Sequence, residues 1–251
     1  MSDQVQDKKI RARSVTTILA AVILAAGLGY GMSLVGTGLA AKAGNSITVT
    51  GSAKTSATAD NVVWTLNVQE SSPSVATAVK KVEKSVTSLK DYLTAGGVDA
   101  AGIETAGISS FAINEFINGN QTGRVLSYQA SQNVTIRSKD VAKIKELSGG
   151  IGSLLQSGVN VNNYGPQYYV SNLADLRPQL LADAMKDAKV RGEAITKAVG
   201  STLGPVLSVS SGPVQVTSPD SVDTSAGGMY DTSSIPKTVT VTVSVGFKVS
   251  K

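Results

Sequence analysis

Asp183, Asp187 and Arg191 recur every four residues, with Glu193 close behind, in a stretch patterned as a helix. On one helical face, two carboxylates and a guanidinium could hold a cation or divide acid and base roles. The same spacing also describes an ordinary i,i+4 Asp–Arg pair on a solvated face, worth about 0.2–0.5 kcal/mol, and that simpler account is preferred. A second cluster, Tyr164, Tyr168 and Tyr169, could stack on a sugar or a partner protein. Aromatics at strand ends more often serve packing. Asp60, four residues before the lone Trp64, is read as a turn-former accepting backbone N–H bonds. Gly149-Gly150-Ile151-Gly152 lacks the Gly-Lys-Ser/Thr ending of a phosphate loop.

The 251-residue chain contains neither cysteine nor histidine. Disulfides, thiol nucleophiles, Cys/His zinc sites and Ser-His-Asp catalysis are therefore excluded. Any enzyme built here would rely on Asp, Glu, Lys, Tyr or Ser, and no motif demands one. The expectation is a protein without catalytic residues, cofactor or metal. At 41% apolar, 16% charged and 4% aromatic, the composition is globular, with a core of Val, Ile, Leu and Ala. The formal charge of +5 is split between +2 before residue 14 and a thin excess of 19 basic over 16 acidic residues afterwards. No dense basic face exists for nucleic acid.

Ser14 to Ala41 carries no charge, and Lys8, Lys9, Arg11 and Arg13 precede it. About 20 apolar residues cross a bilayer as a helix, and a basic flank stays in the cytoplasm. Residues 1–13 are thus expected to be a cytoplasmic basic N-terminus and 14–41 a single transmembrane anchor. Residues 45–251 then lie outside the cytoplasm, either periplasmic or on the cell surface. Ala41-Lys42-Ala43 would suit cleavage of a signal peptide, but the apolar run exceeds the usual length of one. Both routes export the domain.

Alternation of apolar and polar residues predicts a strand from Ile47 and another over Val62–Val68. Ser72-Pro73 reads as the start of a helix carrying Val75, Val79, Val82, Val86, Leu89 and Leu93, stopped at Gly96-Gly97. A hairpin follows, with arms near 105–117 and 124–137 and a loop of Asn118-Gly119-Asn120 and Gly123. Ser138 or Asp140 can cap a helix that the glycines at 149, 150 and 152 should break. Strand–strand–helix thus occurs twice, the order a duplication would leave. Short strands surround Tyr164-Gly165-Pro166, and Ser171 could cap a long helix to Val199 containing Pro178. Ala184, Ala188 and Gly192 on that helix would allow close packing. The end is β, with strands over 206–217 and 237–251 joined by the Ser-, Asp-, Thr- and Gly-rich Ser218–Pro236 segment. Such a length is either mobile or functional. The fold class expected is α+β, antiparallel strands with two to three packed helices, preceded by one N-terminal transmembrane helix.

Ile47-Thr-Val-Thr-Gly51, then Ala59-Asp60-Asn-Val-Val-Trp64, and later Leu176, Ala184, Asp187-Ala188, Arg191, Glu193-Ala194, Gly200 and Leu203-Gly204 carry a resemblance. Gly158-Val159 and Tyr168-Tyr169-Val170-Ser171 stand between them. In this order and spacing, residues 46–250 resemble the SIMPL-domain family of bacterial envelope proteins. Ala59 replaces a frequent proline, and Gly192 replaces a frequent alanine. The resemblance implies an extracytoplasmic α+β domain that tends to form ring-like homo-oligomers. Some members are linked to stress tolerance or host immune recognition, and the family brings no established catalytic residues. The expected function is a non-enzymatic, membrane-anchored envelope protein that self-associates into a homo-oligomer. The alternative is an extracytoplasmic binding module using the Ser218–Pro236 segment or the tyrosines, its small-molecule ligand unidentified.

Overall fold

The computed structural model describes residues 45–251, together with the isolated positions Leu28 and Met32. The expected anchor, 14–41, and the basic N-terminus lie outside the described residues apart from those two positions. Among the described residues no helix is long and apolar enough to cross a membrane. The described fold is α+β, mostly antiparallel strands with helices packed on them.

Two compact units divide the chain. The larger comprises Thr50–Val190 and Val209–Ser244. Its centre is the strand β2, Asn61–Ser72, which pairs antiparallel with β5, Asn120–Ser138, from Val62↔Ser138 to Ser72↔Tyr128. On the other side of β2 lie the short strands β6, Val161–Asn163, and β7, Gln167–Tyr169. Strands β3, Ile103–Thr105, and β4, Ser109–Ile117, pair with β5. Val62, Trp64, Leu66 and Val68 project from β2 into the core and meet Ala130, Val134 and Ile136 of β5. Helix α1, Val75–Ala95, covers them with Ala78, Val82, Leu89 and Leu93, and helix α2, Val141–Gly150, adds Ile144. Burying each valine, leucine or isoleucine among them contributes about 1.5–3 kcal/mol. The opposite face of this sheet is polar: Thr65 meets Thr135, and a line of amides runs from Gln129 through Gln69 and Asn67 to Asn133.

The ends of the elements follow local chemistry. Ser74, not Ser72, caps α1, accepting from Thr77 N–H at 3.3 Å. Ser72 is taken by the ladder opposite Tyr128, so the helix begins two residues later than expected. Gly97, at φ 83°, closes α1 with bonds from Gly97 N–H to Thr94 O and from Val98 N–H to Leu93 O, a Schellman ending. The hairpin loop is shorter than expected. Asn118 and Gly119, at φ 53° and 82°, make a two-residue turn, and β5 continues through Asn120 and Gly123. An Asn-Gly pair favours this primed turn, whose twist matches the strands. The glycine break falls where expected, between α2 and the short helix α3, Gly152–Gln156. The two strand–strand–helix runs are not equivalent, because β4 pairs with β5 whereas β1, Ser46–Thr58, leaves for another sheet.

That second sheet has the order β1-β10-β8, with β9 also on β10. These are β8, Thr202–Ser211, β9, Gln215–Thr217, and β10, Pro236–Ser250. The strand expected over 206–217 is thus two strands, interrupted at Gly212-Pro213, where proline supplies no ladder donor. Helix α4, Leu173–Ala198, contains Pro178 and is not capped by Ser171. Within the larger unit, Leu180 of α4 packs with Val216, Val239 and Val241. Ala184 and Ala188 are fully buried where β1 passes at Gly51. A Cβ on Gly51 would lie 2.1 Å from the Ala184 carbonyl oxygen and 2.5 Å from Ala188 N. In the smaller unit, formed by residues 45–49, Arg191–Ser208 and Val245–Lys251, Gly192 faces the Leu203 side chain and Gly204 faces the Lys248 carbonyl.

Gly51→Ala should therefore push backbone against backbone and cost at least about 2 kcal/mol. A shift of the urea midpoint to lower concentration checks this; an unchanged midpoint would refute the close crossing.

Candidate functional site

Asp183 and Asp187, singled out by type, have separate partners. Asp187 accepts from the Ser52 backbone N–H at 2.8 Å, which ties α4 to β1. Asp183 instead accepts from Gln179 at 3.0 Å and Lys186 at 3.1 Å on the exposed face of α4. The Gln179 and Lys186 bonds hold its carboxyl below the usual range. Among the described residues, no group of acidic side chains is placed to hold a metal.

Tyr164 is 83% exposed at the tip between β6 and β7, a position fixed from below. There the Asn163 side-chain oxygen accepts from both Trp64 Nε1–H at 2.8 Å and Gly165 N–H at 2.9 Å. Tyr168 is buried, and its backbone N–H donates to Thr232 O. Tyr169 lies 5.7 Å from the Tyr230 ring, whose hydroxyl accepts from Val170 N–H. Tyr168 and Tyr169 are therefore packing groups. Asp60 is the expected corner, accepting from the Ser171 N–H at 2.8 Å and from its hydroxyl. The hydroxyl bond is the main cause of its lowered pKa.

The long segment after β9 does assemble a site. Its second half is anchored by Lys237, only 1% exposed. Lys237 Nζ donates to the Asp231 carbonyl and reaches Asp231 Oδ1 and Ser234 Oγ, each at 3.4 Å. Burial pushes the lysine pKa down, against the pull of Asp231. Burial alone would raise the Asp231 carboxyl. Donation from the Ser233 N–H and hydroxyl and the Ser234 N–H, with the Lys237 charge, outweighs it and holds the pKa at about 2. Backbone bonds from Val216 N–H to Met229 O and from Asp231 N–H to Val216 O complete the anchor. The type of Lys237 gave no warning, but its phase did: it alternates with Val239, Val241 and Val243 and must share their buried face.

The other phase of β10 turns Thr238, Thr240 and Thr242 to the opposite face. There they join Gln215 and Thr217 of β9 and Lys54 and Ser56 of β1 as the floor of a cleft of about 850 Å³. Residues 219–226 form its wall, including Ser221, Asp223 and Thr224. Gln215 Nε2 donates to Ser225 O at 2.6 Å. Gln215 Oε1 is buried without a hydrogen bond, a state that costs about 1–3 kcal/mol for a polar group. The sequence marks the segment by its length and composition, but not the floor, because threonines on a strand read as an ordinary outward face.

Lys237→Met should leave the Asp231 carbonyl without its ammonium donor and cost about 1–3 kcal/mol, read as a lower melting temperature. Because the Asp231 pKa is depressed from 3.8 to about 2, its contribution is fully present above pH 4 and disappears as pH falls through 2. In Asp231→Asn, stability should fall less steeply over that interval; an unchanged slope would refute the role.

No curated protein matches the chain. The sequence model of the SIMPL family, described as a protein of unknown function (DUF541), matches residues 47–248. Of the residues that carried the resemblance, Gly51, Ala184 and Ala188 form the close crossing, Asp60 the corner and Trp64 part of the core. The chain belongs to the SIMPL family.

Proposed function

We propose that the protein is a membrane-anchored, non-enzymatic envelope module whose exported domain associates with further copies of itself. The observation that carries the self-association is the end of the β4–β5 hairpin beyond the central sheet. Pairing with β2 ends at Tyr128, so Ile113–Ile117 and Asn120–Ser127 continue as a two-stranded ribbon. Phe116, Ile117, Val125 and Leu126 on it are 65, 57, 40 and 51% exposed. A ribbon of two strands is marginal in water, and exposed apolar clusters mark interaction surfaces.

The charges on the ribbon are matched, with Arg124 pairing with Glu115 at 3.3 Å, so it repels no identical copy. The four apolar side chains are already about half covered, so burying the rest would contribute on the order of 3–6 kcal/mol. Association costs about 4–15 kcal/mol, so a contact using the ribbons of both copies is favoured over one using a single ribbon. An anchor in 14–41 would hold copies in one plane and raise their local concentration.

The mass of the full chain in mild detergent should be that of a multimer. Phe116→Gln with Leu126→Gln should reduce it at unchanged circular dichroism, since both side chains are exposed. A monomeric wild type at high concentration would refute the proposal. For the compartment, the cysteine-free chain permits a clean label. Tyr164→Cys should react with a membrane-impermeant maleimide on intact cells or, in a two-membrane cell, on spheroplasts. Reaction only after lysis would place the domain in the cytoplasm.

A further inference from the structure

The cleft beside residues 219–226 is independent of self-association, and its chemistry specifies an occupant. Its floor alternates hydroxyl and amide groups with threonine methyls: Thr238, Thr240 and Thr242 along one strand, Gln215 and Thr217 along the next. Thr240 and Gln215 stand directly opposite each other in the β9–β10 register. Each threonine hydroxyl can both donate and accept. Gln215 Oε1 is a buried acceptor without a donor, while the amide nitrogen of the same side chain is committed to Ser225. That oxygen has no surface open to the cleft, so an occupant is met by the threonine hydroxyls of the floor.

The charged groups of the lining are Lys54 and Asp223. They cancel, so the cleft is matched neither to a phosphate-rich ligand nor to a cation. A lipid chain would leave the hydroxyls unpaired, which is costly. A peptide adding as a strand needs a free edge, yet β9 pairs with β10 on one side and with the Met229–Asp231 backbone at Val216 on the other. A molecule carrying several hydroxyls, each donor and acceptor, on a ring satisfies the threonine hydroxyls, and its C–H faces suit the threonine methyls and the Pro213, Pro219 and Val222 side chains of the lining. We propose that the cleft formed by Gln215, Thr238, Thr240 and Thr242 against residues 219–226 binds a neutral saccharide.

The full chain in mild detergent is applied to a printed array of neutral hexose and N-acetylhexosamine oligosaccharides. The expected result is retention on at least one series, released by the matching soluble trisaccharide. Thr240→Val keeps the side-chain shape and removes the hydroxyl. It should weaken retention about tenfold with the melting temperature unchanged, and Thr238→Val should act likewise. The proposal is overturned if no series retains the wild type better than Thr240→Val. It is equally overturned if triglycine or inorganic phosphate releases the protein and soluble saccharide does not; either would assign the cleft to a peptide or an anion.

Discussion

Between β1 and α4 there is no room for a single methyl group. At Gly51 the strand backbone meets the helix backbone at Ala184 and Ala188, and the bond from Ser52 N–H to Asp187 locks the two at that height. The position of α4 sets the depth at which Leu180 meets Val216, Val239 and Val241. That contact in turn holds the valine face of β10 inward and its threonine face outward. The cleft floor is thus a remote product of a glycine on a different strand. Packing density of this kind transmits constraint because interiors deform little.

The same crossing explains why the fold was legible in the sequence. Alternation identified β1, β2 and β10, and the apolar stripe identified α1, because each element buries one face and the period of that burial is printed in the residues. The glycine-rich break after α2 and the close-packing stripe on α4 could be read for the same reason. Boundaries were less legible where two partners compete for one residue. Ser72 has the chemistry of a cap, but the ladder with Tyr128 claims it. Ser171 likewise donates to Asp60 and does not start α4.

The site was less visible than the fold. Asp183, Asp187 and Arg191 attracted attention by type, yet Asp187 has a backbone partner from β1 and Asp183 has Gln179 and Lys186. For Tyr168 and Tyr169 packing was already the readier account, and Tyr168 is buried while Tyr169 lies against the Tyr230 ring. What the sequence did mark was the unusual length of the connection before β10. The decisive partner, Lys237, was hidden by its charge: lysine is normally an outward residue, and only its register with the following valines predicts burial. Threonine hid the floor in the opposite way, by looking like any solvent-facing residue until a wall stands against it.

The amide line on the outer face of the central sheet has a direction. Gln129 donates to Gln69, Gln69 to Asn67, and Asn67 to Asn133. The two inner carboxamides, Gln69 and Asn67, are each both receiver and giver, so turning either of them end for end would set nitrogen against nitrogen or oxygen against oxygen on both sides. The four dipoles can reverse only as a set. That stiffens the stretch of β2 and β5 it spans beyond what their backbone ladder provides, and it gives the line one electron-rich end.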